Sequence, residues 1–198
     1  TTQRFQLVAG FTPLQAGLLV SAVAIGSLPT ALLGGAFLHR LGWRVLIAGG
    51  LAAGAIGALA TTAGRHLGLG WLVAGMVLNG AGLGAVMAVA SSAIVGNVPP
   101  AQAGMASSVE EVSYEFGSLI AVALLGSLLG ALYSMGVSLP PDVPDAARAG
   151  IAQALEIAQA SEPVNTALVE SASSAFDRGY LVVLWVIAGV QALGALVT

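Results

Sequence analysis

The chain has 198 residues, 57% of them hydrophobic and only 8% charged, with a formal charge of −3. A soluble domain uses about 25% charged residues to cover its surface, and a mean hydropathy of +0.93 leaves too little polar area for that. With no cysteine and six scattered arginines as its only basic residues, the chain is excluded from disulfide scaffolds, thiolate chemistry and nucleic-acid binding.

The two histidines, His39 and His66, fall at the ends of different apolar runs. They are poorly placed as metal ligands, and neither a metal nor a cofactor is expected. Residues 1–13 read as the tail of a preceding helix and a loop. The basic start, apolar middle and small-residue cleavage site of a signal peptide are missing. Thr198 falls within an apolar run, so both ends look cut and the sequence reads as a piece of a longer protein.

A membrane-spanning helix needs roughly 20 mostly apolar residues. In chain order, the segments 14–38, 45–63, 69–95, 103–133 and 180–197 satisfy that requirement. The fold class is therefore all-α, a polytopic membrane helix bundle of about five spans. Four of them occupy 14–135, and 178–198 supplies the last. Thr12-Pro13 introduces the first span as an N-cap followed by a first-turn proline. Connections at 39–44, 64–68 and 96–102 are short, so successive helices run antiparallel.

Residues 136–177 depart from this pattern. They contain Pro140, Pro141 and Pro144 and six of the nine acidic residues. The segment reads as a solvent-side excursion with one or two short amphipathic helices interrupted near Pro163; a regulatory lid is the other reading. Charge bias does not orient the bundle. Arg40 and Arg44 mark one face, while Arg4, Arg65 and Arg178 mark the other.

Glycine threads the second span at 49, 50, 54 and 57, and the third at Gly75, Gly80, Gly82 and Gly84. Small residues let helices approach closely in lipid, where packing drives association. Gly80-Ala81-Gly82-Leu83-Gly84 is no nucleotide fingerprint, because it lacks the preceding strand and downstream acid that such a site needs. Asn79 is a strong polar side chain inside the same span, and an interhelical hydrogen bond is its expected role. Pro29 removes a backbone hydrogen bond from the first span and is expected to kink it there.

Glu110, Glu111 and Glu115 are the only charges between Met105 and Tyr133. A charge at the bilayer centre costs about 3 kcal/mol on insertion scales, so such residues face a bundle interior or a wet cavity. Glu111 and Glu115 share a helix face with Tyr114 and Ser118 beside them, and Glu110 is turned about 100° away. If the span begins near Ala103, Glu111 lies about 12 Å and Glu115 about 18 Å along it. Desolvation favours the neutral form of a carboxyl, which suits a proton carrier. An anionic wall with an aromatic neighbour also suits a lipophilic cation. The alternative places Glu110 and Glu111 at the headgroups, as acids favoured in a helix first turn.

The loop Gly35-Ala36-Phe37-Leu38-His39-Arg40-Leu41-Gly42-Trp43-Arg44 is a second constellation. Gly35, His39, Arg40, Gly42 and Arg44 supply a helix-end glycine, a polar–basic pair, a turn glycine and a terminal cation. They suit either a charge latch to a neighbouring helix or interfacial anchoring by Arg and Trp.

The stretch Val98-Pro99-Pro100-Ala101-Gln102-Ala103-Gly104-Met105-Ala106-Ser107-Ser108-Val109-Glu110-Glu111-Val112-Ser113-Tyr114-Glu115-Phe116-Gly117 resembles the penultimate helix of the fourteen-helix drug:proton antiporters of the major facilitator superfamily. Residues 35–44 resemble the second-half copy of that superfamily's loop motif, with His39 at its acidic position and Trp43 replacing one of its basic pair. The resemblance covers nearly the whole chain. It implies the last five helices of such a transporter, with 39–44 and 96–102 cytoplasmic and 136–177 an extracytoplasmic loop. It further implies a multi-pass protein of the bacterial inner membrane that exports lipophilic, often cationic, drugs in exchange for protons. Glu111 and Glu115 are then the principal proton-coupling and substrate residues, with Glu110 and Tyr114 secondary. The implied partners are lipid, protons, the substrates and the upstream helices of the same protein.

Other readings stay open: a dedicated exporter of one metabolite or antibiotic, and a non-transporting membrane assembly protein. An enzyme is not expected. An intramembrane hydrolase is disfavoured because both histidines lie at helix ends and no serine has a nucleophile motif around it.

Overall fold

The computed structural model describes residues 2–8, 10–161 and 163–198, with the side chains of 2, 35–37, 39–41, 65 and 66 outside that description. The described residues form six α-helices: α1 Thr2–Leu7, α2 Pro13–Leu67, α3 Leu69–Gly96, α4 Ala103–Gly136, α5 Ile151–Ala160 and α6 Thr166–Val197. Five stretches are long and apolar enough to cross a bilayer: Pro13–Gly34, Gly42–Gly64, Leu69–Gly96, Pro100–Gly136 and Thr166–Val197. Their number and order agree with the apolar runs of the sequence. The chain is thus an all-α membrane helix bundle protein.

The first two spans are joined within α2, whose dihedrals leave the helical region at Gly42 (φ 76°, ψ 158°). That φ is costly for a side chain with a Cβ, so glycine is what allows the chain to turn there. Helical dihedrals continue through Pro29, and the discontinuity within α2 lies at Gly42. The Thr30 hydroxyl braces the Pro29 turn by donating to the Gly26 and Ser27 carbonyls, each at 3.1 Å. The start of α2 is a capping box. Gln15 N–H donates to Thr12 Oγ1 at 3.3 Å, and Thr12 N–H donates to Gln15 Oε1 at 3.0 Å, with Pro13 in the first turn.

The chain forms two compact units, Thr1–Gly17 with Ala121–Val183, and Leu18–Ile120 with Leu184–Thr198. In the second unit, glycine determines how α3 packs. A Cβ at Gly80 would fall on the Val23 carbonyl, and one at Gly84 on the Ser27 carbonyl. A Cβ at Gly82 would meet the Gly50 carbonyl and lie 2.6 Å from Gly54 N. One side of α3 therefore lies backbone to backbone against the first span of α2, and another side against the second. The pairings 23 with 80 and 27 with 84 run parallel, whereas 50 with 82 and 61 with 75 run antiparallel. Asn79 strengthens this seam, donating from Nδ2 to the Gly54 carbonyl at 2.8 Å and to Gln191 Oε1 on α6 at 3.4 Å.

The first unit has an apolar core of its own. Tyr133, Val137, Ala147, Ile151, Ala154, Ala158, Leu168, Ala172, Ala175 and Phe176 are buried together. On α5 the buried positions Ile151, Ala154 and Ala158 fall at i, i+3 and i+7, one stripe of a short amphipathic helix. Tyr133 Oη donates to the Ala147 carbonyl at 3.0 Å and fixes the Asp145–Arg148 turn against α4. The helix α6 starts at Thr166, where Asn165 Oδ1 accepts from Leu168 N–H at 3.0 Å. The last helix thus takes in residues that the sequence pattern assigns to the connecting segment. Arg4 and Asp177 form a paired contact, Nε to Oδ1 at 2.8 Å and Nη2 to Oδ2 at 3.1 Å. The same guanidinium lies 5.6 Å from the Tyr180 ring centroid, tying α1 to α6.

Candidate functional site

The penultimate span is the least covered of the five, with 6% of its most apolar window buried. Its first half packs antiparallel on α3 through two side-chain contacts. Ser91 Oγ donates to Glu110 Oε2 at 3.2 Å, and the Tyr114 hydroxyl meets Met87 Sδ at 3.8 Å. Glu110 is seven residues into α4, about 10 Å from its start at Ala103 at 1.5 Å per residue. Ser91 is five residues before Gly96, about 8 Å from the end of α3.

An open groove of about 660 Å³ runs beside these contacts. Its α4 side consists of Glu110, Glu111, Ser113 and Tyr114. Facing them are Leu83, Val86, Met87, Ala90 and Ile94 of α3, with Val23 and Ser27 of α2. The walls are mainly apolar, two carboxylates and a phenol enter from one helix, and none of the lining residues among those described is basic. Such a site provides negative charge and an aromatic face on a greasy floor. That is what a flat or bulky organic cation needs to leave water.

Helical geometry assigns the acids to different positions. At 100° per residue, with Glu110 as zero, Tyr114 lies at about 40°, Glu111 at about 100° and Glu115 at about 140°. The groove takes the arc around Glu110 and Tyr114. Glu111 stands at its edge, exposed yet part of the lining. Glu115 is exposed and lies outside the lining residues. Val112, at about 200°, points away from the groove.

Of the loop constellation, Gly42 makes the break in α2, and the Arg44 guanidinium stacks 5.1 Å from the centroid of the exposed Trp43 ring. Gly35, His39 and Arg40 lie outside the described side chains. Among the described residues no cluster of three potential metal ligands occurs. Met87, Ser91 and Ser113 join the site although the sequence alone does not single them out for it. The available signal is spacing: Met87 and Ser91 are four apart on α3, matching Glu110 and Tyr114 on α4.

Together the apolar spans and the acid-lined groove describe a multi-pass membrane protein with carboxylates entering an otherwise mainly apolar groove. The sequence matches the Major Facilitator Superfamily over residues 5–139, and the chain belongs to that family. It is 35% identical over 185 residues to the multidrug efflux pump LfrA of Mycolicibacterium smegmatis, covering 90% of this chain and 36% of that protein. It is 28% identical over 188 residues to the methyl viologen resistance protein SmvA of Salmonella typhimurium, covering 92% and 38%. Identity to the multidrug resistance protein Stp of Mycobacterium tuberculosis is 32% over 147 residues, covering 73% and 27%. The chain thus spans about a third of the length of the relatives it matches.

Proposed function

We propose that the intact protein exports lipophilic, often cationic, drugs across the bacterial inner membrane in exchange for protons. The observation that carries this reading is the groove on α4, where Glu110, Glu111 and Tyr114 meet apolar walls with no basic residue among the described lining. The names of the relatives, two multidrug proteins and a methyl viologen resistance protein, support the substrate class.

In this account Glu110 and Glu111 receive the cation, and Tyr114 contributes its ring face. Glu111 and Glu115, four apart on the same helix flank, carry the proton. A carboxyl that is protonated when open to one side and ionised when open to the other couples proton entry to drug exit. Carriers of this kind alternate access by rocking one half against the other, so transport requires the rest of the polypeptide. The loops 39–44 and 96–102 are cytoplasmic, and 136–177 is extracytoplasmic. No step makes or breaks a covalent bond of the substrate, so the protein is a carrier and not an enzyme.

Reconstitution of the intact protein in liposomes with an imposed pH gradient tests this. Ethidium transport should follow the gradient, and Glu110→Gln and Glu111→Gln should each raise its KM about tenfold, the loss of roughly one charge contact in a partly dry site. Gradient-independent transport would remove proton coupling, and wild-type kinetics in both variants would remove Glu110 and Glu111 from the mechanism. A panel of unrelated cations separates a multidrug exporter from one dedicated to a single compound.

A further inference from the structure

Serines in membrane helices commonly turn their hydroxyls back onto their own helix. Ser92 donates to the Ala88 carbonyl at 2.7 Å, Ser108 to Gly104 at 2.9 Å and Ser113 to Val109 at 2.7 Å, each four residues back. Ser91 departs from this habit. Its hydroxyl leaves α3 and donates to the Glu110 carboxylate of α4.

The contact belongs to a two-rung ladder. Met87 and Ser91 on α3 face Tyr114 and Glu110 on α4, and antiparallel packing aligns the rungs. Glutamate has three rotatable side-chain bonds, and an unanchored one loses that freedom when a ligand arrives. A donor from the facing helix orients the carboxylate beforehand, which lowers the cost of binding. At 3.2 Å the bond is long for a hydroxyl donating to a carboxylate. The bond engages Oε2 alone and leaves Oε1 to meet a cation while the bond persists.

We infer that Ser91 is a positioning residue for Glu110: its hydroxyl holds the carboxylate on the α3 side of the groove, and recognition of cations by the site depends on it. The inference rests on the reading of the groove as the cation site. Ser91 itself does not line the groove and acts through Glu110.

The test uses the intact transporter in liposomes, with ethidium as probe, comparing Ser91→Ala, Ser91→Thr, Glu110→Gln and the double variant Ser91→Ala/Glu110→Gln. Ser91→Ala should raise the ethidium KM about threefold to tenfold, the cost of ordering one flexible side chain, with kcat unchanged. Ser91→Thr, which keeps the hydroxyl, should restore the wild-type KM. In the Glu110→Gln background the alanine substitution should add nothing, since the group it orients is gone. A wild-type KM in Ser91→Ala beside a raised KM in Glu110→Gln overturns the positioning role alone. Additive effects of the two substitutions, or a fall in kcat that threonine does not restore, overturn it too by assigning Ser91 to packing. A wild-type KM in Glu110→Gln overturns the groove reading beneath it.

Discussion

Glu110, Glu111 and Glu115 are three carboxylates on one helix, and their surroundings separate them. Glu110 meets Ser91 across the α3 seam, Glu111 stands at the groove's edge, and Glu115 is exposed beyond it. Substitution should separate binding from coupling accordingly. Glu115→Gln should lower the rate of gradient-driven ethidium transport about a hundredfold, the lower end of what a positioned proton-transfer group contributes, while leaving KM near the wild type. A raised KM with full gradient response would instead make Glu115 a substrate residue. The presence of acids in the span was legible in the sequence, because charge within an apolar run is costly and therefore conspicuous. Which acid meets α3 was not. That depends on the rotation of α4 about its axis, and α4 is apolar nearly all round, with no stripe to fix it.

At the scale of elements, the five spans were legible because each is an apolar run bounded by glycine, proline or charge. The glycines of α3 were legible as packing residues in kind. Only the structure shows that they serve two sides, Gly80 and Gly84 toward the first span and Gly82 toward the second. Gly80→Val should therefore disrupt the α2–α3 seam. A side chain cannot share space with the Val23 carbonyl, and overpacking of this kind costs about 1–3 kcal/mol or more. The drop should appear as a lower melting temperature in detergent, and an unchanged one would mean the helices are not in backbone contact. Asn79→Leu should cost less, about 0.6 kcal/mol, the average for an interhelical hydrogen bond in a membrane protein. Two features escaped the sequence. Gln191, which accepts from Asn79, sits in a run of apolar residues where nothing marks its partner. The early start of α6 lies in Ala- and Ser-rich sequence that is compatible with either helix or loop, and tertiary packing of Leu168 and Ala172 decides the outcome.

For the whole molecule, family membership and the acid-lined groove bear on one question: whether the face of α4 around Glu110 and Tyr114 meets water and substrate or lipid. The chain contains no cysteine, so a thiol placed at 112 or 113 is unique within these residues, and the intact protein without the substitution gives the background rate. Ser113 lines the groove and Val112 points away from it. The measurement is the rate at which a charged, membrane-impermeant thiol reagent modifies Ser113→Cys and Val112→Cys in the intact protein in membranes, with and without ethidium. Modification at 113 should be fast and slowed by ethidium, whereas modification at 112 should be slow and unchanged by it. Fast modification at 112 with a silent 113 would turn the acids away from the groove and contradict the account.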